Sequence, residues 1–161
     1  KNHKLEYVDE ENAEKMTPHV IEPTFGVDRA VLALLLSAYT EEEKDGEVRE
    51  YLKFKPNIAP VICAVSPLLK NKPELVEKAK AVRELLRPHM SSFYDDAGGI
   101  GRRYRRQDEI GTPFCITIDF ETLGEKGDEL KDTVTLRHRD DARQERVKIG
   151  DLLGILLPQV Q

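Results

Sequence analysis

Three short stretches of this chain combine charge, glycine and aromatic residues in ways that could do chemistry. The first is Glu22-Pro23-Thr24-Phe25-Gly26-Val27-Asp28-Arg29, a strand-like run that passes through a glycine turn into an apolar helix. An arginine in a helix's first turn adds its charge to unpaired backbone N–H groups and makes a phosphate site. The plain alternative is a surface arginine capping a buried helix. The second stretch is Gly98-Gly99-Ile100-Gly101-Arg102-Arg103-Tyr104-Arg105-Arg106-Gln107. Its spacing departs from G-x-G-x-x-G and no P-loop lysine follows, so Gly98–Gly101 predicts a backbone turn with positive φ and not a phosphate cradle. Four arginines around a tyrosine suit an RNA backbone and an unstacked base; a solvated charged helix is the alternative. The third stretch, Arg137-His138-Arg139-Asp140-Asp141, closes a strand with mixed charge, which surface salt bridges would explain equally well.

These residues need a scaffold, and the pattern from Ala59 onward supplies one. Val61-Ile62-Cys63-Ala64-Val65 is a continuous apolar run of strand length, the pattern of a strand buried on both faces, and Pro67 stops it. Pro73 fits the first turn of a helix in which Leu75, Val76, Ala79, Val82, Leu85 and Leu86 recur at helical spacing until Pro88. A short strand at 91–94 leads through a turn at 95–99 into a helix over 101–109. Residues 113–120 alternate, with Phe114, Ile116, Ile118 and Phe120 on one face. A long polar loop joins them to a strand at 133–139, forming a hairpin. Residues 143–149 are a further strand, and 151–157 an amphipathic closing helix. The order β-α-β-α-β-β-β-α predicts an α/β domain, a mixed β-sheet flanked by helices.

The upstream part reads differently. Residues 1–16 are polar and acidic and predict a loop, and residues 19–21 a short strand. Residues 27–39 are apolar except for Asp28, Arg29 and Ser37, which predicts a buried helix with little polar face. The run Glu41-Glu42-Glu43 opens a charged surface segment, and Pro56 closes a linker. Two parts follow, residues 1–56 and 57–161. The net charge of −5 falls in the first; the second is balanced, which argues against indiscriminate nucleic-acid binding but leaves room for a local basic face. No apolar run reaches the ~18–20 residues of a membrane span, and Lys1-Asn2-His3-Lys4 has no secretory pattern. The first residue is not Met, so trimming or processing is expected. Cys63 and Cys115, each inside an apolar run, predict buried reduced thiols of a cytosolic protein. His3, His19, His89 and His138 are scattered, and no metal site is expected.

Together the motifs carry a family resemblance. The run from Pro18 to Arg29 resembles motif 3 of class II aminoacyl-tRNA synthetases in its glycyl-specific form. Residues 59–68, 99–120 and 133–149 are similar to the anticodon-binding domain of glycyl-tRNA synthetases of the archaeal and eukaryotic type. The resemblance implies a division into a catalytic-domain remnant at 1–56 and an anticodon-binding domain at 57–161. It implies that Arg29 meets the ATP γ-phosphate, that Glu22 holds the glycine ammonium, and that Thr24 keeps the hydroxyl of the family's usual serine. For the tRNA anticodon it implies a face containing Arg102, Arg103, Arg106, Asp108, Glu109, Thr117, Asp119, Arg137, Arg139 and Gln144. Of these, Arg102 and Arg103 are assigned to phosphates, and Glu109, Asp119 and Arg139 to bases.

The parent implied is a cytoplasmic homodimer that joins glycine to its tRNA through glycyl adenylate, with ATP and Mg as substrates. No cofactor is expected in this stretch. Motifs 1 and 2 have no counterpart here, so the chain is expected to start inside the catalytic domain and to make no adenylate by itself. Three rivals stand beside this reading: the anticodon domain of a threonyl, prolyl or histidyl enzyme, a nucleotide-binding α/β module using the Gly98–Gly101 loop, and a protein-interaction module with the same fold. Titration with tRNA and with nucleotides separates them.

Overall fold

Five strands of the chain pair into one mixed sheet, described here from a computed structural model that covers residues 5–44 and 46–160. They are β5 (Cys63–Pro67), β6 (Ser92–Tyr94), β7 (Phe114–Ile118), β8 (Thr133–His138) and β9 (Gln144–Lys148), in the order β6-β5-β7-β8-β9. β5 runs parallel to both neighbours, with Cys63 opposite Phe114 and Ala64 opposite Cys115. β7, β8 and β9 continue antiparallel. The parallel pairs need crossovers, and two helices supply them, α2 (Pro73–Leu86) from β5 to β6 and α3 (Ile100–Glu109) from β6 to β7. The sheet and its flanking helices match the α/β architecture expected from the order of elements.

Alternation within the strands sorts the two faces. Cys63, Val65, Phe114, Ile116, Ile118, Val134 and Leu136 form the core with Leu75, Ala79, Val82 and Leu86 of α2 and with Leu152 and Leu156 of α4 (Leu152–Leu156). Pro73 opens α2 at a position where its missing N–H costs nothing, and Glu74 in the first turn suits the helix dipole. The opposite face carries Cys115, Thr117, Thr135 and Arg137, and α3 lies on it through Tyr104, whose hydroxyl is 2.7 Å from Thr117 Oγ1. One face is oily and the other polar. Burial pushes the Cys63 thiol well above its ordinary value and lifts Cys115 to about 12.

Contacts divide the chain between Leu32 and Ala33. In the first unit, β1 (Tyr7–Val8) and β2 (Lys15–Met16) make a small antiparallel pair where the sequence predicts only loop. The strand predicted at 19–21 does not form: those residues have no sheet partner among the described residues to complete a ladder, and all three are exposed. α1 (Val27–Ala38) forms as expected but is not buried; only Ala38 is, and Val27, Leu32 and Leu36 are exposed. A helix with so little polar face calls for cover that the described residues do not give it.

The charged segment after α1 is a hairpin, β3 (Tyr39–Lys44) with β4 (Glu47–Leu52). Its local signal is poor, since Glu41 faces Glu50 across the ladder. Buried Tyr51, and buried Phe54 just beyond, supply what local pairing lacks. No described helix is long and apolar enough to cross a membrane, and the described residues hold no group of three or more His, Cys, Asp or Glu that could bind a metal.

Candidate nucleic-acid interface

The arginines of α3 divide by direction, because successive helical residues turn by about 100°. Arg103 faces inward and is 2% exposed. Its guanidinium is held by carbonyls alone: Nε and Nη2 donate to Gly98 O at 3.1 and 2.7 Å, Nη2 to Asp96 O at 3.1 Å, and Nη1 to Pro67 O. Gly98 turns the chain at φ +77°, which a side chain would resist. Arg106, nearly a full turn further on, binds the Asp95 carboxylate at 2.7 Å and Ala97 O at 2.7 Å while staying half exposed. The glycine-rich turn is thus clamped from beneath by its own helix.

A second cluster lies at the other end of α3. The buried Asp108 carboxylate accepts two bonds from Arg137, at 2.8 and 2.9 Å, and two from Arg49 of β4, at 3.2 and 3.0 Å. Arg137 also lies 4.8 Å over the Tyr104 ring. Burial pulls Arg137's pKa down, but the bonds and charge of Asp108 outweigh it and carry it up. Arg139, also 2% exposed, donates to Gly111 O and Phe54 O at 2.7 Å and to Asp140. Gly111 has φ +85°, and a Cβ there would stand 2.4 Å from Phe54 Cδ2.

The third cluster is built on Asp119. Arg146 grips it through both Nη atoms, Thr135 Oγ1 donates to it at 3.2 Å, and Thr122 donates N–H and O–H at 3.1 Å each. Burial would raise this carboxyl, but the hydrogen bonds of Arg146 and Thr122 prevail and hold it below its ordinary value. Arg146 is a residue the motif reading passes over. Its signal was the alternation of β9, which sets Gln144 opposite Arg137 and Arg146 opposite Thr135 on the polar face.

The structure therefore brings the predicted residues together on one face but not in one role. Arg103, Asp108, Thr117, Asp119, Arg137 and Arg139 have their polar atoms engaged within the protein. Arg102, Glu109 and Gln144 are exposed, and their side chains make no hydrogen bond or ion pair among the described residues. In the first unit Glu22, Thr24 and Arg29 are exposed; Thr24 Oγ1 reaches only Glu22 O, at 3.5 Å.

A family model described as an anticodon binding domain matches residues 62–158, from the start of β5 to just past α4. This chain belongs to that family. All three clusters of the anticodon-binding domain fall inside the matched residues, whereas Arg49 and Phe54 lie upstream of them. Proteins named glycine--tRNA ligase are similar over nearly the whole chain. The one from Streptomyces coelicolor is 50% identical across 94% of this chain and 33% of its own length. Those from Thermus thermophilus and Clostridium kluyveri are each 48% identical, across 95% and 98% of this chain and 31% and 32% of their own. The chain thus spans about a third of the length of these relatives. They are bacterial, and the archaeal and eukaryotic type expected from the motifs finds no support among them.

Proposed function

We propose that this chain is the anticodon-reading part of a glycyl-tRNA synthetase, with residues 57–161 as the anticodon-binding domain and 1–56 as part of a class II catalytic domain containing motif 3. The parent would be a cytoplasmic homodimer that ligates glycine to its tRNA, with ATP and Mg as substrates. In that setting Glu22 would hold the glycine ammonium, Thr24 would line the same pocket, and Arg29 would meet ATP.

One observation carries the reading of the interface. α3 is fixed by the engaged side chains of Arg103 and Asp108, yet presents Arg102 and Glu109 to solvent without a partner among the described residues. Fixing the helix that bears them in advance lowers the entropy lost on binding. Arg102 and half-exposed Arg106 suit phosphates, while Glu109 and Gln144 suit the Watson–Crick edges of splayed bases. Arg103, Asp108, Thr117, Asp119, Arg137 and Arg139 support that face from within.

Binding of a glycine-anticodon stem-loop RNA and an anticodon-swapped copy, at two salt concentrations, tests this. Arg102→Ala should weaken both RNAs and flatten the salt dependence by a slope of about 0.7. Glu109→Ala should cost roughly 1–3 kcal/mol for the glycine RNA alone. Equal binding of both RNAs by the unaltered chain would refute anticodon reading.

A further inference from the structure

Asp108 is already neutralised within the domain by Arg137 of β8, so a second arginine on the same carboxylate calls for an explanation. That arginine comes from the hairpin, fifty-nine residues upstream. Arg49 lies 4.3 Å over the buried ring of Tyr51, its neighbour on the same face of β4. Its Nη1 binds Glu42 across the hairpin at 3.1 Å, and its Nη2 reaches both Asp108 and the main-chain oxygen of Arg139. Two elements of the interface are therefore tied to the hairpin by this one side chain: α3 through Asp108, and the end of β8 through Arg139. The junction is close elsewhere too, with Gly111 against Phe54 and Arg139 donating to Phe54 O.

The residue after Asp108 is Glu109, exposed and without a partner among the described residues. Its backbone position is set by the last turn of α3. Arg137 holds that turn to the sheet, and Arg49 holds it to the hairpin. We propose that Arg49 is a positioning residue for anticodon recognition, fixing the C-terminal turn of α3 so that Glu109 meets its base without Arg49 touching RNA. The inference rests on the functional reading above and extends the recognition apparatus beyond residues 62–158.

The test uses the 161-residue chain with the same pair of stem-loop RNAs. Arg49→Met keeps an unbranched side chain beside Tyr51 and removes every donor, together with the charge over the ring. It should lower binding of the glycine RNA about tenfold and leave the swapped RNA and the salt slope unchanged. Arg49→Lys keeps a charged donor but cannot fork, so it should lose roughly threefold; because it retains a cation for Tyr51 and Asp108, it carries the test even if Arg49→Met fails to fold. With Glu109→Ala already present, either change should have no further effect, since neighbours acting as a unit are not additive. Full discrimination in a folded Arg49 variant overturns the inference. So does a fall in both RNAs with a flatter salt slope, the mark of a direct phosphate contact, or an additive loss in the double variant. If the unaltered chain binds both RNAs equally, the functional reading fails and takes this inference with it. If it discriminates and the Arg49 variants do too, the inference alone fails.

Discussion

The helix α3 and the segment 19–29 carry similar promise in sequence and meet opposite conditions in the fold. Around α3, charges find partners within the fold: Arg103 three carbonyl groups, Arg106 the Asp95 carboxylate, Asp108 two guanidinium groups. In 19–29, Ile21 is 93% and Phe25 89% exposed, and Glu22 and Arg29 have no ion pair among the described residues. A recognition surface can be completed by one chain when its supports come from the same sheet. A pocket for a small charged substrate, the role proposed for Glu22 and Arg29, needs walls on several sides.

The largest expected effects separate these regions directly. Asp108→Ala strips the buried Arg137 guanidinium of its carboxylate, leaves Arg49 only Glu42 and Arg139 O, and should lower the free energy of unfolding in urea by about 3–5 kcal/mol. Glu22→Ala and Arg29→Ala should each stay within about 0.5 kcal/mol. Comparable losses at both places would break the contrast.

Arg103→Met comes next. Three carbonyl groups lose a charged donor, and about 2–3 kcal/mol should follow, with faster amide hydrogen exchange confined to residues 95–99. Exchange that rises across the whole sheet instead would mean that Arg103 supports the core and not the turn.

Gly111→Ala tests the junction with the hairpin. The left-handed backbone and the clash with Phe54 should cost about 1–3 kcal/mol, read by chemical denaturation. An unchanged midpoint would show that Phe54 moves away freely and that the junction is loose.

The smallest effect is one of pH. Because the Asp119 carboxyl is held below its value in the unfolded chain, the unfolded state binds the proton first as pH falls. The stabilisation is complete above the ordinary carboxylate value of about 3.9 and disappears as pH drops through the lowered native value. Asp119→Asn should remove that part of the acid dependence; an unchanged profile would assign it to other carboxylates.

How far the fold was legible follows the same physics. β5 and α2 could be read from Cys63, Val65, Leu75, Ala79, Val82 and Leu86, since an apolar run and a helical period are themselves the burial pattern. The hairpin could not: Glu41, Glu42 and Glu43 read as solvated, and what holds strands there is the burial of Tyr51 and the meeting of Arg49 and Phe54 with residues far downstream. At the interface, residue types pointed to the right face but not to the right depth. Arg102 and Arg103 are chemically alike, and one is exposed while the other is buried beneath a turn. Depth depends on where carbonyls from Pro67 and Gly98 converge, which local sequence does not encode.

The two cysteines give the fold a readout of its own opening. Cys63 and Cys115 lie on adjacent strands but in different layers, one under α2 and α4, the other under α3. Burial keeps both thiols un-ionised at neutral pH, and only the thiolate attacks an alkylating reagent. Labelling of the native chain should therefore wait for each layer to part from the sheet, and the two sites can be timed separately by mass. An RNA bound along α3 should slow modification at Cys115 while leaving Cys63 to its own clock.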